Sequence, residues 1–342
     1  MIDVLAIGDV TEDVFIEVSN AASLHCDSLH HCHLDFDFGT KIAIERVDKL
    51  IGGNAGNMAI GSSRLGLHSA LYAQVGADSS GKSIQASLRK DHVSTAYFSL
   101  NSKQKTNYSV VLHYKGERTI LVHHEPRAYQ LPKFSAARFV YLTSMAKGSE
   151  KIFPSLLSYI KKNKVKLGFN PGTHQLNLGL EKLKPLLKET NILFLNVEEA
   201  QFLLKVKTRK ISDLLEKLSK VGPSIVVITD GDQGAYSYDG KIFLFCPIYV
   251  VPAIERTGCG DAFATGFLSA LLHDQNTSEA MRWGTINSAS VLQKIGPQEG
   301  LLHLSFLKKI LQANPNFKVQ KWSENEKEIA KRAYQPLTFR RF

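Results

Sequence analysis

Val4-Leu5-Ala6-Ile7-Gly8-Asp9-Val10-Thr11-Glu12-Asp13 opens with an apolar run that breaks at a glycine and continues into three acids. Such a run reads as a strand buried on both faces that delivers its acids to a loop at its carboxyl end. Further runs of this kind lie at Ala70 to Val75, Phe139 to Leu142, Lys166 to Phe169, Ile192 to Leu195 and Ile225 to Thr229. Stretches with helical spacing separate them, including Asn54 to Leu65, Gly81 to Asp91, Glu150 to Asn163 and Ser212 to Lys220. This alternation predicts an α/β fold whose mainly parallel sheet is covered by helices on both faces. Two insertions interrupt it. Val14 to Lys49 contains short alternating pieces, and Asn107 to His123 reads as a hairpin, Tyr108 to Tyr114 returning through Lys115-Gly116-Glu117 into Arg118 to Val122.

The motif richest in chemistry is Arg256-Thr257-Gly258-Cys259-Gly260-Asp261-Ala262-Phe263, a glycine-rich turn running into an apolar, helix-like segment. Two glycines let backbone N–H groups converge at a helix start, which favours an anion, and the adjoining acid is placed to act as a base on a hydroxyl. Alone, a Gly-X-Gly-Asp turn is weak, because such turns end many buried strands. Ile51-Gly52-Gly53-Asn54-Ala55-Gly56-Asn57-Met58-Ala59 adds close-approach glycines and an amide that both donates and accepts. Further along come Asn170-Pro171-Gly172-Thr173, Asn196-Val197-Glu198-Glu199, Thr229-Asp230-Gly231-Asp232-Gln233-Gly234 and Gly296-Pro297-Gln298-Glu299-Gly300.

In this order the set resembles the ribokinase (PfkB) family of sugar and nucleoside kinases, from about Asp3 to about Leu302. Gly52-Gly53 with Asn57, then Arg64-Leu65-Gly66 and Val75-Gly76-Ala77-Asp78, look like the family's first signature, and Gly258 to Asp261 like the second. The resemblance implies a ribokinase-like three-layer sandwich with a mainly parallel sheet and a small inserted β-lid over the sugar. Segments 1–13, 48–106 and 124–313 would then form the nucleotide- and substrate-binding core, with 14–47 and 107–123 as the lid. The implied reaction is ATP-dependent transfer of the γ-phosphoryl group to a hydroxymethyl group of a ribose- or fructose-like sugar, with Mg²⁺ as cofactor. Two alternatives stand beside it. One is an adenosine-type nucleoside kinase, with Phe15, Phe36 and Phe38 stacking the base; the other is a non-catalytic sugar or nucleotide sensor on the same scaffold.

The resemblance also assigns roles. Asp261 becomes the catalytic base, although an isolated acid at a helix start reads as an N-terminal cap. The amides of Gly258, Cys259 and Gly260 form an anion hole for the moving phosphoryl group. Glu199 is a metal residue that organises magnesium together with Asn196, while Thr229, Gly231 and Gly234 approach the ATP phosphates and Asn287 lies near the adenine. Asp13, Gly53 and Asn57 hold acceptor hydroxyls, with Asp9 the competing acid. Glu255-Arg256 stands where many relatives carry Asp-Thr, a position that contributes to a monovalent-cation site in some of them, so potassium dependence is in doubt. Cys259 at a helix start is expected to have a lowered pKa and a reactive thiol.

The 342 residues, 44% apolar and 22% charged, are enough to bury a substantial core. The net charge of +10 is carried by lysines in scattered amphipathic stretches such as Lys161 to Lys166 and Lys182 to Lys188. No nucleic-acid-binding signature accompanies them, so a solvated surface that attracts anionic nucleotides is expected, with no nucleic-acid partner. No charged leader or long apolar run suggests a membrane, and Cys26, Cys32, Cys246 and Cys259 form no CxxC pair. A cytoplasmic enzyme is expected, with pairing of two copies through the lid as a further expectation. His25-Cys26 through His30-His31-Cys32-His33 offers six potential zinc ligands, but its spacing matches no common site and it also reads as an irregular strand pair. After Pro315 the chain turns polar and basic, so 314–342 is set apart as an extension. It contains a candidate helix at Ser323 to Tyr334 and is read as a surface helix with a frayed tail, or as an oligomer or partner contact.

Overall fold

The computed structural model describes residues 1–18, 22–28, 31–114 and 117–322. The candidate helix at Ser323 to Tyr334 lies outside them, as does the Lys115-Gly116 turn. In chain order, β1 (Ile2–Ile7), β2 (Thr11–Glu17), β3 (Ala22–Ser28), β4 (His31–Phe36) and β5 (Arg46–Gly52) precede α1 (Asn54–Arg64). Then come β6 (Ser69–Gly76), α2 (Ser79–Lys90), β7 (Phe98–Asn101), β8 (Asn107–Tyr114) and β9 (Glu117–His123). β10 (Ala137–Leu142), α3 (Phe153–Asn163), β11 (Lys166–Phe169), α4 (Thr173–Leu178), α5 (Leu180–Glu189) and β12 (Ile192–Asn196) follow. After α6 (Val197–Leu204), α7 (Ile211–Ser219) and β13 (Ile225–Thr229) come β14 (Ala235–Tyr238) and β15 (Phe243–Cys246). The described chain closes with α8 (Cys259–Leu272), α9 (Thr277–Val291), α10 (Leu304–Ala313) and β16 (Gln320–Lys321).

The main sheet has the order β16-β15-β14-β13-β12-β11-β10-β1-β6-β7. From β13 to β7 every pair is parallel, and β14 to β16 close one edge antiparallel. Successive side chains on a strand point to opposite faces, so β1 feeds two cores at once. Val4 and Ala6 enter the cluster that holds Met58, Ile84 and Phe267, from α1, α2 and α8; Leu5 and Ile7 enter the one that holds Leu156, Leu186 and Leu215, from α3, α5 and α7. All four are fully buried, which is why the run reads as unbroken rather than alternating. The antiparallel edge was not read from the sequence. Its signal is the Asp239-Gly240 pair, where Asp239 Oδ1 accepts the N–H groups of Lys241 (2.9 Å) and Ile242 (2.8 Å) and turns the chain between β14 and β15.

A separate four-stranded sheet has the order β5-β2-β8-β9. It takes in more chain than the sequence boundaries gave it. β2 pairs with β5 from Thr11↔Gly52 to Glu17↔Arg46, so Thr11 to Asp13 and Asp48 to Gly52, assigned above to the core, belong to this sheet. Backbone pairing continues past the point where the apolar pattern changes. Asp78 anchors the sheet's other root, accepting from Thr106 N (2.8 Å) and Thr106 Oγ1 (2.6 Å) just before β8. β3 and β4 form their own hairpin, with a register shift between Cys26 and Ser28. Among the described residues no group of three or more His, Cys, Asp or Glu is placed to hold a metal ion, and the side chains of Cys26, His30, His31 and Cys32 lie outside the description. No described helix is long and apolar enough to cross a membrane.

In the sheet the chain runs outward from β1 to β6 and β7 on one side and from β10 to β11, β12 and β13 on the other, so the direction of winding switches between the neighbours β1 and β10. In open α/β sheets such a switch point leaves a crevice at the carboxyl ends of the strands.

Candidate active site

A cavity of about 490 Å³ occupies that crevice. Asp9 after β1, Ser144 after β10, Asn170 after β11, Asn196 at the end of β12 and Thr229 at the end of β13 line it from the main sheet. The smaller sheet lines it with Asp13, Ser109, Arg118, Ile120 and Val122. It is therefore a lid in position as well as in size.

Two helices begin at this cavity. α8 starts after Gly258, whose φ of +79° favours glycine and whose missing Cβ would lie 2.4 Å from Pro297 Cβ. The N–H of Ala262 donates to Gly258 O (2.8 Å), so the amides of Gly260 and Asp261 belong to the first turn, which has no intrahelical acceptor. The Cys259 N–H donates to Arg256 O at 3.4 Å. α1 starts after Gly53, at φ +90°. A Cβ there would press to 2.6 Å on Asp9 O, and one on Gly52 would lie 1.8 Å from Asp13 Oδ2.

Asn57 joins the two helix starts. Its Nδ2 donates to Asp261 Oδ2 (2.7 Å), while its Oδ1 accepts from Gln298 Nε2 (3.0 Å). Arg64, on the same helix, donates to Gln298 O (2.6 Å) and pairs with Asp91 (2.7 Å), which fixes the Gln298 loop. Burial pushes the Asp261 carboxyl up to about 6; the Asn57 hydrogen bond opposes that rise, and the Glu199 and Asp13 charges reinforce it. Asp13 is also raised, chiefly by burial, against hydrogen bonds from Thr11 Oγ1 (2.6 Å) and Ser109. Asp9 is raised by burial too, although Tyr129 Oη (2.8 Å) and Ala146 N (2.8 Å) donate to it.

Asn196 and Glu199 form a reciprocal cap at the start of α6. Glu199 N donates to Asn196 Oδ1 (2.7 Å), and Asn196 N donates to Glu199 Oε2 (2.9 Å). Both line the cavity, and burial lifts the Glu199 carboxyl. Asp261, Glu199 and Asp13 thus gather three partly desolvated carboxylates around one space, an arrangement that calls for cationic or protonated company.

Residues 20–304 match the pfkB family of carbohydrate kinases. The chain belongs to that family. An uncharacterized sugar kinase of Archaeoglobus fulgidus is 27% identical over 248 residues, covering 71% of this chain and 98% of that protein. A Methanocaldococcus jannaschii nucleoside kinase of the ribokinase family superposes with a TM-score of 0.74 at 22% identity, covering 91% of this chain and 98% of that one. An Arabidopsis thaliana ribokinase, solved with ribose and ATP, gives 0.74 at 20% identity over 91% of this chain and 99% of that one. These two structures share the ribokinase fold.

Within this pfkB-family chain, the structure brings Asp261, Gly258, Gly260, Asp13, Gly53, Asn57, Asn196, Glu199 and Thr229 to one cavity. Other assigned residues stand elsewhere. Gly231 and Gly234 lie in the turn after Thr229, outside the lining, and a Cβ on Gly234 would meet Cys246 O at 2.5 Å, which gives that glycine a packing role. Asn287 is fully buried, with Nδ2 on Ala262 O (2.8 Å) and Oδ1 on Leu302 N (3.0 Å). It ties α8 to α9, both ends of its amide are engaged within the protein, and it does not line the cavity. Cys259 packs against the core, and burial raises its thiol to about 11 instead of lowering it, outweighing a hydrogen bond from Ser288. Phe15 is buried, Phe36 and Phe38 are exposed, and none of them lines the cavity. Gln298 carries no sequence signal for its contact, because its partner Asn57 lies 241 positions away. Arg118 and Ser109 carry no sequence signal beyond their strand pattern, and His124, just after β9, carries none.

Proposed function

We propose that this protein transfers the γ-phosphoryl group of Mg-ATP to a primary hydroxyl of a sugar. The observation that carries the reading is Asp261: a buried carboxyl with a pKa near 6, aimed by Asn57 and set between two helix starts on one cavity. Asp261 takes the hydroxyl proton as the acceptor oxygen attacks phosphorus and ADP departs with the bridging oxygen. The first-turn amides at Gly260 and Asp261, with the α8 dipole, stabilise charge on the moving group. Asp13 and Asn57 orient the acceptor from the lid's root, and Ile120 and Val122 exclude water above it.

The hard oxygens of Glu199, with Asn196 beside it, suit Mg²⁺, which is commonly held by one or two carboxylates together with substrate phosphates. Its charge would offset the smaller part of the Asp261 rise, the part that the Glu199 and Asp13 charges add to burial. Glu255 Oε1 is engaged by Thr257 N (2.7 Å) and Thr257 Oγ1 (2.6 Å), and no potassium requirement is part of this proposal. A sugar is favoured over a nucleoside because the lid strands line the acceptor end with Asp13, Ser109, Arg118, Ile120 and Val122 and bring no ring to stack on a base, the cavity's Phe194 and Phe263 coming from β12 and α8. The reduced thiols of Cys246 and Cys259 suit a cytosolic setting.

ADP release with Mg-ATP and a panel of pentoses, hexoses and nucleosides tests the reading. Turnover with a sugar bearing a free hydroxymethyl group is expected. A protein that binds ATP and releases no ADP above background with any acceptor would be the sensor instead. Two copies pairing through the lid's outer face, where Tyr108 and Leu121 are exposed, is the companion proposal. Sedimentation at micromolar concentration should give a dimer that Leu121→Lys dissociates; a monomer at every concentration rejects it.

A further inference from the structure

Glu255 lies three residues before Gly258, with its side chain 2% exposed. Its Oε1 accepts both hydrogen bonds from Thr257 and so shapes the turn that leads into α8. Its other oxygen, Oε2, has no hydrogen-bond partner. A buried carboxylate oxygen left in that state destabilises the protein until something pairs with it.

Arg118 is a cation within reach, and it belongs to the lid. It lies on β9, lines the active-site cavity and brings Nη1 to 3.9 Å from Glu255 Oε1. That separation is within ion-pair range and too long for a hydrogen bond. The guanidinium is still 30% exposed, so it has room to move inward. The surroundings locate this gap between the two ends of the site. The Glu255 charge acts on Asp13 at the acceptor end, and Glu255 and Arg118 both act on Cys259 at the start of α8.

Resting on the kinase reading, we propose that Arg118 is a positioning residue for phosphoryl transfer. When the lid closes, its guanidinium pairs with both oxygens of Glu255 and locks the Thr257-Gly258 turn in place. The planar fork of arginine matches a carboxylate in this way, and a lysine would supply only a point charge. The turn that presents the first-turn amides is then ordered when the lid is down, so an acceptor that draws the lid closed also completes the phosphate end. ATP meeting an open lid finds the turn unlocked, which limits wasteful hydrolysis.

The test compares wild type with Arg118→Gln, Arg118→Lys, Glu255→Gln and the Arg118→Gln/Glu255→Gln pair. With the best acceptor, kcat should fall about 10- to 100-fold in Arg118→Gln, the range of one lost charge-assisted contact, while acceptor KM stays within about threefold. Arg118→Lys should recover part of the loss, and the double variant should be little worse than either single one. A raised acceptor KM with normal kcat would overturn the proposal, because Arg118 would then be contacting the acceptor. A strict potassium requirement in wild type would also overturn it, since Oε2 would be holding a metal cation. A readout that needs no turnover is amide hydrogen exchange at residues 255–260 with Mg²⁺, a non-hydrolysable ATP analogue and a saturating sugar acceptor, which together hold the lid closed. Faster exchange in Arg118→Gln than in wild type is expected, and equal exchange rejects the lock. If wild type turns over no acceptor, the kinase reading fails, while the exchange comparison, run with the sugar that calorimetry shows to bind most tightly, still decides whether Arg118 orders the turn.

Discussion

A Cβ on Gly52, just before α1, would lie 1.8 Å from Asp13 Oδ2, whereas a Cβ on Gly260, in the first turn of α8, would meet nothing within 4 Å. In sequence the two look alike, each a glycine beside a helix start. The first makes room for the protein's own carboxylate and fixes Asp13 against the root of the lid. The second opens onto the cavity, where room is of use only to a ligand. A glycine packed against its own chain should fail by unfolding or by moving Asp13, and a glycine facing open space should fail only in function.

The largest expected effect lies between the two starts, at the Asn57 to Asp261 hydrogen bond. Asp261→Asn keeps the shape and removes the base, so kcat should fall by roughly 10² to 10⁴-fold while Mg-ATP binding persists. Wild-type kcat/KM should fall as pH drops below about 6, because the base must be ionised to act. Stability moves the other way. Asp261 is raised from 3.8 to about 6, so its proton favours the native state below about 4, and that contribution is lost as pH rises through 6. The Asn variant should therefore melt higher than wild type at pH 8, with the gap closing toward pH 4. A folded variant with near-normal turnover would remove Asp261 from the chemistry.

The glycines themselves come next. Gly260→Ala sits in ordinary helical backbone with free space around it, so the melting temperature should stay the same or rise slightly, alanine being better in a helix by about 0.5 to 1 kcal/mol. Turnover should fall about 10- to 1,000-fold, as it does when an oxyanion donor is lost or blocked. Gly52→Ala should do the reverse. It pushes Asp13 aside, lowers the melting temperature and raises acceptor KM by about 10- to 150-fold, the range of one charged hydrogen bond. Thermal melts beside KM for each substrate separate the two cases, and matching behaviour at both positions would erase the distinction between them.

The fold was legible because its signal is local. Val4 to Ile7 is apolar throughout, is short and ends at a glycine, which suits a strand covered on both faces. The acids and amides at strand ends were legible for the same reason, since parallel strands bring their carboxyl ends to one edge wherever they lie in the sequence. What escaped notice depends on contacts between distant segments. Asn57, Asp261 and Gln298 meet across more than 200 positions. Asn287 has the polarity of a binding residue, yet both its hydrogen-bonding ends are engaged inside the protein, and composition cannot tell such an amide from one that faces a ligand. The lid boundary was missed by a few residues because Thr11 to Asp13 and Asp48 to Gly52 pair by backbone, which leaves no mark on side-chain pattern.

Cys259 gives the smallest effect and the finest test of the comparison, since it lies next to Gly260 yet faces the other way. Gly260 is exposed at the cavity, while the Cys259 side chain packs against the core and does not line that space. A helix start alone would lower the thiol pKa, and here burial overrides it and raises the thiol to about 11. At pH 8 its thiolate fraction is then about two orders of magnitude below that of a free cysteine, and alkylation by iodoacetamide should be slower by the same factor. Mass spectrometry of the Cys259 peptide over time measures this directly, and Mg-ATP should change the rate little, because the side chain packs against the core and does not line the cavity. Alkylation at the rate of a free thiol, slowed by Mg-ATP, would mean that the first turn of α8 opens in solution, and that Cys259 and Gly260 share the ligand face after all.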